Sequence, residues 1–171
     1  MTPSTKSAIR PPFGGFGRQI AESRTARAEP EPLSEGQLRI LVVDDHEVTR
    51  RAFSLTLSPI CDVVYMADSG EEALRALAQT RFDLVFMDVH MPGMGGVETV
   101  CRLRDSHIAG ADTPVVAIAA GLDDGDREAC LLAGMSGFAA TPVEAKTLFA
   151  LVAAVLADAR AEALARGSQA A

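Results

Sequence analysis

An α/β fold, a parallel sheet covered on both faces by helices, is what this sequence predicts, and three observations predict it. Apolar stretches of strand length alternate five times with longer helical stretches from Leu38 onward. Two of the apolar runs, ILVVDD (Ile40 to Asp45) and DLVFMD (Asp83 to Asp88), are short, continuous and closed by acids, as strands buried on both faces are. The connections are short, which suits right-handed crossovers between parallel strands.

Each element has its own justification. The first strand is expected at Arg39 to Val43, and its helix runs from about Glu47 to Leu57 before Pro59 stops it. The second strand, Asp62 to Met66, leads to a helix opening at Ser69 and running to about Gln79. There Ser69 and Glu72 have capping-box spacing. The third strand, Asp83 to Met87, enters a Pro/Gly-rich loop, HMPGMGG, and then a helix from Val97 to about Ser106. The fourth, Pro114 to Ile118, is followed by the acidic loop GLDDGD and a helix ended by Gly134. The fifth, Gly137 to Ala140, meets Pro142, expected at the first position of the last helix. That helix runs to about Arg166 with Leu148, Leu151, Val152 and Val155 on one apolar stripe. Its Ala-rich end, Ala157 to Ala165, extends beyond what packing requires and suits a partner helix.

Composition narrows the class. At 171 residues, a single domain with a substantial core is the natural expectation. With 48% hydrophobic and only 5% aromatic residues, the interior is aliphatic. Residues 1–37 differ from the rest: they hold Pro3, Pro11, Pro12, Pro30 and Pro32, the GGFG cluster at Gly14 to Gly17, and nearly balanced charge. They read as a disordered tail that buries too little apolar surface to offset chain entropy. Docking through Phe13 and Phe16 is the less favoured reading. Residues 38–171 read as one domain with an extended last helix and no output domain after it. The net charge of −7 argues against nucleic-acid or anionic-membrane binding. No stretch is long and apolar enough to span a bilayer, and no apolar signal region opens the chain. Cys61, Cys101 and Cys130 are odd in number and widely spaced, so they read as buried thiols of a cytoplasmic protein.

The chemistry lies at the strand ends. Parallel strands deliver their terminal side chains to one crevice at the carboxyl edge of the sheet. Asp44, Asp45 and Asp88 therefore converge, and three carboxylates in one crevice repel one another unless a cation offsets the charge. Asp44 and Asp45 alone would read as a helix N-cap pair. His46 and His90 beside them read as rim residues rather than transition-metal ligands.

Residues 38 to about 156 resemble a response-regulator receiver domain, similar to those attached to hybrid sensor kinases. The strings that carry the resemblance are RILVVDDHEVTRR, ADSGEEAL, FDLVFMDVHMPGMGG, TPVVAIAA and GDREACLLAGMSGF, in matching order and spacing. The resemblance implies a flavodoxin-like, doubly wound, five-stranded parallel sheet of order 2-1-3-4-5 with five helices. It implies that Asp88 accepts a phosphoryl group from a phosphohistidine. It also implies a Mg²⁺ site with Asp45 and Asp88 as direct ligands, the backbone carbonyl of His90 as a third, and Asp44 acting through water. The implied partner is a histidine kinase or histidine phosphotransfer protein, with the oligomeric state open. The chain would phosphorylate itself at most and turn over no separate substrate, so it reads as no enzyme.

Two departures from the family pattern stand out. The family closes its fourth strand with Thr or Ser, whose hydroxyl grips the new phosphoryl oxygens; here Ala119 stands there. The family's fifth strand ends in Lys before Pro; here Thr141 precedes Pro142. The chain's two lysines are Lys6 and Lys146, and only Lys146, on the first turn of the last helix, is a candidate to compensate. A charge-assisted hydrogen bond contributes roughly 1.5–3 kcal/mol and a neutral one about 1 kcal/mol, so the switch half of the machinery is weakened. Phe138 falls at the family's switch aromatic and is expected either to rest inward against the small Ala119 or to be an ordinary edge aromatic. Three functions follow: a phosphorelay receiver, a pseudo-receiver that binds a partner independently of phosphorylation, or a nucleotide-binding flavodoxin-like protein. The third is weakest, because DDHE stands where a Gly-rich phosphate cradle would be needed.

Overall fold

The computed structural model describes residues 37–169, with side chains through Arg166. The tail expected over residues 1–37 lies, but for Gln37, outside the described residues. Five strands and five helices alternate: β1 (Arg39–Val43), α1 (Glu47–Leu57), β2 (Val63–Ala67), α2 (Gly70–Gln79), β3 (Leu84–Asp88), α3 (Gly96–Arg104), β4 (Val115–Ala119), α4 (Asp124–Leu132), β5 (Gly137–Ala140) and α5 (Ala145–Gln169). All pairings are parallel, and the order is β2-β1-β3-β4-β5, as the resemblance implied.

Alternation along the strands builds two cores. Leu41, Val43, Val85, Met87, Val115 and Ala117 face α2, α3 and α4. Ile40, Val42, Leu84, Phe86, Val116 and Ile118 face Phe53 and Leu57 of α1 and Leu148, Val152 and Val155 of α5. Every residue of β1, β3 and β4 is buried, because helices cover both faces. Each large aliphatic side chain so enclosed contributes roughly 1.5–3 kcal/mol.

Local signals explain most boundaries. Ser69 caps α2, its Oγ accepting the Glu72 N–H, and Glu72 Oε2 reaches back to the N–H of Asp68. At the end of α4, Gly134 takes a left-handed φ of 85°. The N–H of Met135 bonds the Cys130 carbonyl, and the N–H of Gly134 bonds that of Leu131. This is a Schellman turn, and glycine is there because the left-handed position excludes most side chains.

Four expectations need correction. β2, β3 and β4 each begin and end one residue later than the apolar runs indicated, because the ladder reaches into the polar residue or small alanine at the carboxyl edge. α3 begins at Gly96 and ends at Arg104, short of Ser106, whose hydroxyl turns back to the Leu103 carbonyl. Pro142 does not open α5. The N–H of Thr141 still pairs with the Ala119 carbonyl, the Thr141–Pro142 bond is cis, and helical bonding takes up Glu144 as the acceptor for Leu148. Cys101 is exposed, unlike the buried Cys61 and Cys130, because Val97, Val100 and Leu103 take the inner face of α3.

The last turns of α5 are exposed from Arg160 to Arg166, and Arg166 Nη1 lies 4.0 Å from Asp112 Oδ2 in the loop before β4.

Candidate functional site

Register sets the site. Val43 pairs with Met87, so the next residues, Asp44 and Asp88, lie level at the carboxyl ends of adjacent strands. Asp88 in turn pairs with Ile118, which sets Ala119 one step further along the neighbouring strand. Asp44, Asp45, His46 and Asp88 each present a ligand-type atom, and these atoms all lie within 4.8 Å of one another. The convergence expected of the three acids is therefore present.

Neither Asp44 nor Asp45 caps α1; the N-cap residue is His46, and its side chain makes no capping bond. Asp44 Oδ1 instead accepts the N–H of His46 at 2.7 Å, closing a tight Asx turn that aims the carboxylate into the crevice. Burial holds the Asp44 carboxyl above its ordinary range; the His46 N–H partly offsets this, and the nearby Asp88 charge raises it further. Asp45 Oδ1 is buried yet has no hydrogen-bond partner. His46 Nδ1 lies 2.9 Å away, but the ring is not aligned to donate to it. A buried carboxylate oxygen without a hydrogen bond, among other carboxylates, suits a cation.

Backbone geometry keeps the crevice tight. A Cβ at Gly96 would collide with the carbonyl oxygen of Asp88, and the Gly96 N–H bonds the Val89 carbonyl at 3.1 Å. The start of α3 therefore presses directly against the strand that carries Asp88. At Gly70 a Cβ would strike Thr99 Oγ1, so α2 and α3 also depend on glycine for their contact. The N–H of His90 donates to Asp88 Oδ1 at 3.1 Å, which fixes the loop that follows the strand.

Ala119, Thr141, Lys146 and Phe138 lie on or beside the last two strands and α5. Ala119 closes β4 and is buried, presenting only a methyl at the strand end. Thr141 is tied by its backbone to Ala119 and is partly buried. Lys146 is exposed on the first turn of α5, and among the described residues no hydrogen bond or ion pair joins it to the acids. Phe138 is half-buried against the core cluster containing Ala119, so it is not wholly enclosed. The guanidinium carbon of Arg127 lies 5.5 Å above its ring centre.

Three contributors escaped the sequence reading. Arg50 donates through Nη1 to the carbonyl of Asp44 at 2.6 Å, bracing the end of β1 from α1. Its place four residues into the helix after the acid pair was the available signal. Asp126, which the acidic run GLDDGD carries into the first turn of α4 rather than a loop, comes within 3.5 Å of His90 Nε2. Gly96 was visible only as one glycine of a Gly-rich loop. Among the described residues, no helix is long and apolar enough to cross a membrane.

Comparison with known proteins agrees with this geometry. A family model described as the response regulator receiver domain matches residues 40–153. The chain is 41% identical over 103 residues to the response regulator GacA of Pseudomonas viridiflava, covering 59% of this chain and 47% of that protein. It is 35% identical over 154 residues to the sensory/regulatory protein RpfC of Xanthomonas campestris pv. campestris, covering 85% of this chain and 21% of that one. The chain thus spans less than half the length of these curated relatives. Among solved structures, the receiver domain of the sensor histidine kinase PA1611 of Pseudomonas aeruginosa PAO1, with a magnesium ion coordinated in its active-site cleft, superposes with a TM-score of 0.64 at 27% identity. That match covers 70% of this chain and 98% of the other.

Proposed function

Since this chain belongs to the response regulator receiver domain family, we propose that it accepts a phosphoryl group on Asp88 from a phosphohistidine donor, with Mg²⁺ held by the neighbouring acids. The single observation that carries this reading is the set of ligand-type atoms of Asp44, Asp45, His46 and Asp88 within 4.8 Å of one another.

Asp45 and Asp88 would hold the metal directly, with the His90 carbonyl beside them and Asp44 through water. Such an all-oxygen set is the kind a hard, strongly hydrated cation takes. Bound there, Mg²⁺ would neutralise charge between the carboxylate and the incoming phosphate, which is most of what phosphoryl transfer asks of a site. One oxygen of Asp88 forms the new P–O bond as the donor's P–N bond breaks. The electron pair returns to the donor imidazole, which takes a proton from solvent. Asp44 keeps its carboxylate aimed through the His46 N–H, and Gly96 holds the backbone of Asp88 in place. The donor is a histidine kinase or a histidine phosphotransfer protein, and the output is protein–protein contact.

Ala119, Thr141 and the unpartnered Lys146 favour a second reading: a pseudo-receiver that binds its partner without phosphorylation. One experiment separates the two. The protein is incubated with a small phosphodonor and Mg²⁺ and its intact mass recorded, beside Asp88→Ala. A single phosphoryl adduct that disappears with Asp88→Ala supports the relay. No adduct, with kinase binding retained, supports the pseudo-receiver.

A further inference from the structure

We propose that the first turn of α4 couples the acceptor crevice to the ring of Phe138 on β5, through His90, Asp126 and Arg127. The coupling takes its signalling meaning from the reading of Asp88 as phosphoacceptor, but its physical content is testable without it.

The links are contiguous. The His90 N–H is bound to Asp88 Oδ1 at 3.1 Å, so this residue's position depends on the state of the acceptor carboxylate. Its ring turns the other way, with Nε2 3.5 Å from Asp126 Oδ2. The contact is an ion-pair distance at the rim and carries no hydrogen bond. The same Asp126 Oδ2 accepts the N–H of Asp123 at 3.4 Å, while Asp123 Oδ1 accepts the N–H of Asp126 at 2.8 Å. One carboxylate oxygen therefore serves both His90 and the capping box that starts α4. The next residue is Arg127, whose guanidinium carbon lies 5.5 Å above the Phe138 ring, within cation–π range.

The other end of α4 is anchored. Arg104 Nη2 holds the carbonyl of Gly134 at 3.0 Å, its Nη1 holds that of Ala111, and the Schellman turn closes the helix. The first turn of α4 has no such anchor from another element among the described contacts besides His90 and Phe138. Ala119 has no hydroxyl at the end of β4, and the proposed route runs over the top of the crevice instead. A group added to Asp88 changes the charge of the carboxylate whose Oδ1 now holds the His90 N–H. His90 shifts, Asp126 Oδ2 is left to the cap alone, and Arg127 moves over Phe138. The device has two arrangements, with His90 on Asp126 or away from it.

The test reads the Phe138 ring resonances by NMR in the full chain, with no phosphodonor present. His90→Ala is expected to displace them, and Arg127→Ala to displace them and abolish any further effect of His90→Ala. In an Asp126→Ala background the response to His90→Ala is expected to vanish; Asp126→Asn, which keeps an oxygen for the cap, controls for fraying of α4. Equal responses to His90→Ala in all backgrounds, or none in the parent, would overturn the coupling, since independent sites add and coupled ones do not. The intact-mass assay reports separately on Asp88. Loss of the adduct there ends the relay reading and leaves this cycle to decide the coupling alone.

Discussion

Replacing Asp44 with Asn probes the electrostatics of the crevice. The substitution removes one charge and keeps an oxygen for the His46 N–H that Asp44 Oδ1 now accepts at 2.7 Å. Asp44 is only 4% exposed, and its carboxyl is held above the usual range first by burial and further by Asp88. Two carboxylates at the 4.8 Å limit of this cluster repel by about 3.5 kcal/mol at an effective dielectric near 20 and by about 0.9 kcal/mol in water. The side chain of Asp45 is 26% exposed, so solvent reaches the mouth of the crevice and the relief falls between, at about 1–2 kcal/mol. Without divalent cation, Asp44→Asn is therefore expected to melt above the parent, by about 2–8 °C at roughly 2–4 °C per kcal/mol. With Mg²⁺ the order reverses. The parent gains about 2.7 kcal/mol at a hundredfold excess over Kd, and the variant gains much less. Calorimetric melts in EDTA and in saturating Mg²⁺ measure both differences. A variant less stable than the parent in EDTA, with an unchanged Mg²⁺ gain, would refute the account of mutually repelling acids relieved by a cation.

Further outcomes follow from the same geometry. The raised Asp44 carboxyl lets the folded state hold its proton to higher pH than the unfolded chain. That contribution to stability is full below the ordinary carboxylate value and is lost as pH rises through the folded value. Melts in EDTA should show the parent losing stability over that range relative to Asp44→Asn while the Mg²⁺ gain grows; parallel curves contradict this. Ala119→Thr with Thr141→Lys restores a neutral and a charge-assisted donor, worth about 1 and 1.5–3 kcal/mol. It should lengthen adduct lifetime by at least about tenfold in time-resolved intact mass. No change would mean that other groups already supply those contacts. Gly96→Ala drives a Cβ into the Asp88 carbonyl and should cost about 1–3 kcal/mol while weakening the Mg²⁺ gain. Gly93→Ala, at φ 76° with open space around it, should cost about 1 kcal/mol and leave that gain intact.

Much of the fold was legible because one physical rule produces both pattern and structure. A strand covered on both faces must be apolar throughout, so Arg39–Val43 and the run through Met87 stand out from the amphipathic helices between them. The rule fails at its edge. It cuts a strand at the first polar residue, yet Asp88 is itself the last residue of β3, paired with Ile118. Pro142 misled for a similar reason: its ring suits a helix start, but the Thr141 N–H still pairs with the Ala119 carbonyl, and the helix waits until Ala145.

The site divides along the same line. Asp44, Asp45 and Asp88 were legible because parallel register alone brings strand ends level, whatever the side chains do. The contacts of His90 with Asp126, of Arg127 with Phe138 and of Arg50 with the Asp44 carbonyl depend instead on side-chain directions between separate elements. No periodicity encodes those directions. The crevice acids thus belong to the part of the molecule that topology dictates, whereas the side-chain contacts around them belong to the part that topology leaves open. Under the proposed coupling, occupancy of the crevice would reach Phe138 through His90, Asp126 and Arg127, contacts that the register of the sheet does not specify.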